Sequence, residues 1–161
     1  MWLKTIIDED FVNYKIPSMF IGTNTCSGKC CTEQGLPIET CQNHDLMKAE
    51  PIFTDDDYLI RRYLNNRISK AIVFGGLEPF DQWRELFQFL QKLRQQYGCT
   101  DPVVIYTGYT RAEIDGEIRF LMSLPNIIVK YGRYIPDQEP HLDHVLGVNL
   151  ASDNQYAEQI S

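Results

Sequence analysis

Three short apolar runs, Ala71-Ile-Val-Phe74, Val103-Val-Ile-Tyr-Thr107 and Ile127-Ile-Val-Lys130, each follow an amphipathic stretch. That alternation restricts the fold more than any other feature of the chain. A continuous apolar run of this length suits a strand buried on both faces, as in a parallel sheet carrying helices. A further strand is expected earlier, within Lys15–Thr23, around Ile16-Pro-Ser-Met-Phe-Ile-Gly22. Between the runs the helical period is clear. Thr54-Asp-Asp-Asp57 caps an expected helix over 55–66, with Leu59, Ile60, Tyr63 and Leu64 on one stripe. A second starts at Asp81, places Trp83, Leu86, Phe87, Leu90 and Leu93 inward, and stops at Gly98. Thr110-Arg-Ala-Glu113 reads as a capping box opening a third, with Ile114, Ile118 and Leu121 facing the core. The tail from Ile135 is less regular, with a strand expected within His144–Leu150.

Strands alternating with helices predict right-handed βαβ units and an α/β fold with a mostly parallel sheet. No repeat or linker divides the 161 residues, so one domain over 1–161 is expected. A closed eightfold barrel needs about 250 residues, which leaves a partial (β/α) barrel or a doubly wound sheet. Both place chemistry at the carboxyl ends of the strands. Thr23–Cys30, Gly75-Gly-Leu-Glu-Pro79, Thr107-Gly-Tyr109 and Tyr131-Gly-Arg-Tyr134 fall at those ends.

The net charge of −7 is diffuse, which argues against a track for nucleic-acid phosphates. No apolar run approaches the roughly 20 residues of a bilayer span. The start, Met-Trp-Leu-Lys-Thr, lacks the features of a signal peptide, so a cytoplasmic location is expected. In a reducing compartment, clustered cysteines read as metal ligands or redox groups more readily than as disulfides. Of the five cysteines, Cys26, Cys30, Cys31 and Cys41 fall within sixteen residues, on a segment of about 24–45 expected to be a loop. Cys99 stands alone and reads as a small buried residue.

Cys26-Ser-Gly-Lys-Cys30 and Cys41-Gln-Asn43 supply three thiolates that could hold three irons of a [4Fe-4S] cluster, leaving the fourth iron for an outside ligand. An electron-transfer ferredoxin uses four cysteines per cluster instead. A closed zinc site on all four thiolates competes with this reading, although adjacent Cys30 and Cys31 depart from the usual two to four intervening residues. Both remain open on the residues alone. Gly75 and Gly76 permit close approach of a ligand to the backbone, and Glu78 can accept bonds from an ammonium group. A plain strand-to-helix turn explains the same glycines and Pro79. The G-x-G-x-x-G spacing is absent, which disfavours a dinucleotide fold.

Taken together, Cys26-x3-Cys30 after one strand, Cys41-Gln-Asn43, and Gly75-Gly-Leu-Glu-Pro79 after the next resemble the radical S-adenosylmethionine superfamily. The nearest likeness is to the small activating proteins of anaerobic ribonucleoside-triphosphate reductases. Val104-Ile-Tyr-Thr-Gly-Tyr109, Val129-Lys-Tyr-Gly-Arg-Tyr134 and Leu146-Gly-Val-Asn-Leu-Ala-Ser-Asp-Asn-Gln155 are similar to later segments of that family. The resemblance covers about 17–160.

It implies a partial barrel of the radical SAM type and a [4Fe-4S] cluster on Cys26, Cys30 and Cys41. Gly75, Gly76, Glu78 and Pro79 would hold the methionine amino group of S-adenosylmethionine, and Thr107 a ribose or carboxylate contact. The implied reaction is reductive cleavage to a 5′-deoxyadenosyl radical, which makes a glycyl radical on a large partner, the anaerobic ribonucleotide reductase. A flavodoxin or ferredoxin would donate the electron. Two features depart from the family. Its third cysteine follows the second by three residues with an aromatic just before it, whereas Cys41 lies eleven residues after Cys30, behind Thr40. Ile38 is the candidate substitute for the missing adenine-stacking aromatic, and Cys31 an alternative second ligand. A radical enzyme acting on a small molecule or peptide, and a non-catalytic zinc module, are the competing functions.

Overall fold

A computed structural model describes residues 1–161. In chain order it holds β1 (Trp2–Asp10), β2 (Ser18–Thr23), α1 (Lys29–Thr32), α2 (His44–Lys48), β3 (Ile52–Phe53) and α3 (Asp56–Asn65). β4 (Ile72–Gly75), α4 (Trp83–Gln91), β5 (Val103–Tyr106), α5 (Asp115–Leu121) and β6 (Ile127–Tyr131) follow. β7 (His141–Asp143), β8 (Val148–Leu150) and β9 (Tyr156–Gln159) complete it. Seven strands form one sheet in the order β3-β1-β2-β4-β5-β6-β9. The inner strands β2, β4, β5 and β6 run parallel, while β1, β3 and β9 pair antiparallel outside them.

The expected helices and inner strands are present. Asp55 is the N-cap of α3, its carboxylate accepting from Tyr58 N–H at 3.1 Å. Leu59, Ile60 and Tyr63 are buried, but Leu64 is 44% exposed and lies off the expected stripe. The helix expected from Asp81 begins instead as a 3-10 turn over Pro79–Gln82, continues as α4, and closes in a π-helical turn over Lys92–Gln96. The capping box forms: Glu113 Oε2 accepts from the Thr110 backbone N–H at 2.8 Å and from its hydroxyl at 2.9 Å. Cys99 is buried in the main core.

Two strands escape a reading of hydrophobic period. β1 mixes Lys4 and Asp8-Glu9-Asp10 with its apolar residues, and β9 is mostly polar. Each is an outer strand with polar positions facing water, which blurs the alternation. The strand expected within 144–150 is a turn followed by the second arm of the β7-β8 hairpin.

Packing sorts the sheet's faces. Leu59 and Tyr63 of α3, Leu86 and Phe89 of α4, and Ile118 and Leu121 of α5 share one core with Phe74, Ile105 and Val129. The opposite face, with Val73, Val104 and Ile128, is covered by Tyr14 and by Leu146 and Leu150 from the hairpin region. Longer helices on one face only is how a barrel sheet is covered; a doubly wound sheet carries them on both. Strand pairing ends at β3 and β9, so the sheet is open. No helix is long and apolar enough to cross a membrane.

Candidate functional site

Parallel registry of β2, β4, β5 and β6 brings four carboxyl-terminal loops to one rim. A cavity of about 440 Å³ opens there, lined by Cys26 and Cys30, Gly76 and Glu78, Thr107 and Gly108, and Gly132 and Tyr134 from the successive loops. Backbone bonds stitch the rim: Glu78 N–H donates to Thr25 O (2.9 Å), and Gly132 N–H to Tyr109 O (3.1 Å). At the first loop Ser27 N–H donates to Asp81 Oδ2 (2.6 Å), while Tyr109 O–H donates to Asp81 Oδ1 (2.6 Å).

The cysteine segment is not the plain loop expected. Gly28, at φ +71°, caps α1, and a 3-10 turn at Ile38–Thr40 and α2 follow. Consecutive residues of a helical turn point about 100° apart, so Cys30 and Cys31 diverge. Cys30 is half-buried against Gly108, where an added Cβ would stand 2.7 Å from Cys30 Sγ. Cys31 is buried beside Cys41. All four thiols border the cavity.

Two of the four accept a backbone N–H. Gly28 N–H donates to Cys26 Sγ at 3.3 Å and Asn43 N–H to Cys41 Sγ at 3.4 Å. Such bonds favour sulfur that carries negative charge and tune the potential of iron–sulfur centres. Burial pushes the Cys26 thiol up to about 11 and raises Cys30 as well. At neutral pH these thiols therefore give up their protons on binding a metal rather than before it. The sulfurs do not converge: no three His, Cys, Asp or Glu side chains stand close enough to hold one metal ion. A closed zinc site needs four thiolates each about 2.3 Å from one ion. A four-iron cluster distributes its ligands over separate irons, and Cys26, Cys30 and Cys41, all bordering one cavity, suit that donor set.

Glu78 is buried at 7% exposure and caps the 3-10 turn after β4. Its Oε1 accepts from Thr107 O–H (2.7 Å) and Phe80 N–H (3.1 Å), and its Oε2 from Gly108 N–H (2.9 Å). A carboxylate has about four acceptor positions, so room remains for a ligand's donor. Burial pushes Glu78 up to about 7, against the hydrogen bonds from Thr107, Gly108 and Phe80. Thr107 is buried, and its oxygen also accepts from Tyr109 N–H at 3.0 Å. It thus orients Glu78 directly. Gly76 takes φ +77°, and a Cβ there would stand 2.6 Å from Leu46 Cδ2. Gly75 and Pro79 hold the same turn from either side, with Pro79 opening the 3-10 helix. Ile38 borders the cavity and packs near Gly28.

Two charged side chains at the rim are not singled out by the sequence. Lys130, on β6, is 6% exposed, donates to Gly132 O at 3.0 Å and borders the cavity. Burial lowers it to about 8. A lysine at the end of an otherwise apolar strand is the only local sign, because its neighbours are set by chain pairing. Arg133 bridges Glu33 and Glu113 across the rim. Asn154 and Gln155 pair with backbone: Asn154 donates to Arg133 O at 2.9 Å and Gln155 to Gly132 O at 3.2 Å.

A family model described as a 4Fe-4S single cluster domain matches residues 23–155. No curated protein and no solved structure matches the chain.

Proposed function

The chain belongs to the 4Fe-4S single cluster domain family, and from that premise we propose that it is a radical S-adenosylmethionine enzyme activating a glycyl-radical partner. The supporting observation is the set of three thiols, Cys26, Cys30 and Cys41, on the same cavity as the buried carboxylate of Glu78. Cys26, Cys30 and Cys41 would hold a [4Fe-4S] cluster, which when reduced would supply the electron for cleavage of S-adenosylmethionine to methionine and a 5′-deoxyadenosyl radical able to take hydrogen from a backbone glycine of the partner.

The chain's own groups bind and orient. Glu78 receives the methionine ammonium on its remaining acceptor position, and Thr107 and Gly108 fix the carboxylate for it. The positive φ of Gly76, and the lack of room for a Cβ beside Leu46, keep that turn of the cavity wall to a glycine. Ile38 and neighbouring apolar residues of the wall exclude water from the adenosyl end. S-adenosylmethionine would occupy most of a cavity of about 440 Å³, which favours a macromolecular second substrate docking at the mouth. Phe11 and Val12 leave 64% and 74% of their surface exposed, and Val12 borders that mouth. An open sheet with helices on one face is compatible with a partial barrel of the radical SAM type. The partner is proposed to be an anaerobic ribonucleotide reductase, with a flavodoxin or ferredoxin as electron donor in the cytoplasm.

The decisive experiment is anaerobic reconstitution followed by incubation with S-adenosylmethionine and dithionite. 5′-Deoxyadenosine is the expected product, and its absence from iron-loaded protein would end the catalytic proposal. A colourless protein holding zinc without iron or sulfide would end the cluster proposal. A second variant probes the tight contact at the rim. Gly108→Ala places a methyl 2.7 Å from Cys30 Sγ, so the sulfur or the Gly108 loop must shift. Iron per chain should fall well below the parent's while far-ultraviolet circular dichroism stays the same. Full iron loading in Gly108→Ala would show that Cys30 is free to move without cost to the site.

A further inference from the structure

We propose that Arg133 is a positioning residue that ties the cysteine segment to the loop orienting Glu78, an inference resting on the cluster reading for its consequence but not for the tie itself. Arg133 follows β6, and only 12% of its side chain is exposed. Its Nη2 donates to Glu33 Oε1 at 3.0 Å, and its Nε stands 2.7 Å from Glu33 Oε2. The same guanidinium donates to Glu113 at 2.7 and 2.8 Å and to Gly108 O at 3.3 Å. It also lies 5.7 Å from the centre of the Tyr109 ring.

Its partners give the contact its meaning. Glu33 immediately follows α1, which carries Cys30. Gly108 donates its N–H to Glu78. Tyr134 O, next to Arg133 in the chain, accepts from the Gln34 side-chain amide at 2.8 Å, and the same amide donates to Cys30 O at 2.6 Å. One planar cation therefore joins the backbone that holds Cys30 to the backbone that holds Glu78. Arginine suits this task because its fixed planar fork presents five donors and can engage a carboxylate with two parallel bonds, as a lysine ammonium cannot. Local structure does not require it, since the Glu113 cap of Thr110 is complete without Arg133.

Two carboxylates share one guanidinium, so deleting the cation leaves Glu33 and Glu113 facing each other as like charges. This gives the tie a signature that simple loss of packing lacks. Glu33→Gln in the parent should loosen the segment, because it removes an attraction. Glu33→Gln added to Arg133→Gln should tighten it relative to Arg133→Gln alone, because it removes a repulsion.

The test uses hydrogen exchange on the cluster-free full chain, with β5 as internal control, and iron release to a chelator from the reconstituted chain. Exchange over residues 29–35 should quicken roughly tenfold in Arg133→Gln and about two- to threefold in Glu33→Gln, with β5 unchanged. The double variant should fall between the parent and Arg133→Gln. Iron release should follow the same order. Unchanged exchange over 29–35 in Arg133→Gln, or a double variant faster than Arg133→Gln, overturns the tie. If Arg133→Gln loosens β5 as well, Glu33→Gln decides: its side chain is 49% exposed, and unchanged exchange there overturns the tie too. Altered exchange in a chain that never assembles iron supports the tie while refuting the cluster reading.

Discussion

Cys30→Ala should reduce iron and sulfide per chain to background, whereas Cys31→Ala should retain most of both. The two residues are adjacent, so the difference comes from their placement on α1. Cys30 abuts Gly108 and is partly open to the cavity. Cys31 is 4% exposed beside Cys41. A thiolate ligand needs an approach from the cavity, and Cys30 has the more open one. Removing Cys31 vacates a small buried volume and should cost on the order of 1 kcal/mol of stability. Cys26→Ala and Cys41→Ala should behave like Cys30→Ala, and Cys99→Ala like the parent. Iron and sulfide analysis after anaerobic reconstitution, with the electron paramagnetic resonance of the reduced protein, reads the outcome. The reverse pattern, iron kept in Cys30→Ala and lost in Cys31→Ala, would move the second ligand to Cys31.

Glu78→Gln should keep the cluster and raise the KM for S-adenosylmethionine by on the order of a hundredfold, equivalent to about 3 kcal/mol for a buried charge pair lost on one side. Glutamine preserves the shape of the side chain but replaces one acceptor oxygen with a donor. That donor then faces the N–H of Gly108 or Phe80, both of which now bond to the carboxylate. The substitution should therefore also lower stability by about 1–2 kcal/mol.

The pH dependence separates binding from this structural cost. Burial raises Glu78 from its ordinary 4.5 to about 7. The folded protein therefore favours its neutral form. The stability from that neutral form is complete below about 4.5, then lost progressively as pH rises toward 7. A ligand ammonium favours the ionised form instead. S-adenosylmethionine should bind more tightly as pH rises from about 6 toward 7, releasing a proton as it binds. Lys130, the other buried charge on the cavity, is lowered only to about 8 and stays mostly protonated across that interval. The ligand's own amino group titrates near 8, above the useful window. Calorimetry in two buffers of different ionisation enthalpy should detect the proton in the parent and lose it in Glu78→Gln. Equal proton release from both would assign the titration to another group.

The inner sheet was legible because its residues obey short-range rules. Ala71–Phe74, Val103–Tyr106 and Ile127–Tyr131 carry a continuous apolar signal, and the helices between them have the right period. Parallel strands then commit their carboxyl ends to one rim, so the cysteine segment, the Gly75–Pro79 turn and Thr107 could be placed together before any contact was known. The outer strands were not legible. β1 is nine residues long and includes Lys4, Asp8 and Glu9, and its pairing with β2 rather than its own pattern makes it a strand. The cysteine segment carries no helical signal because four-residue α1 is too short to show a period; it rests on Gly28 at positive φ and on bonds to Gly28 O.

Glu113 marks the boundary between the two kinds of information. Its cap on Thr110 lies three residues away and is written in the sequence, since one turn of backbone fixes the geometry. Its ion pair with Arg133 lies twenty residues away and crosses to another loop. The choice of Cys30 over Cys31, the orientation of Glu78 by Thr107, and the burial of Lys130 are of that second kind. The sequence by itself determined the parallel inner sheet, the capped helices and the supply of thiols at one rim, because each follows from hydrogen bonding and burial within a single element. Only the tertiary structure decided which thiols, carboxylates and cations meet. Those contacts require segments far apart in the chain to be closed against one another, and the side chains alone do not specify the register of that closure.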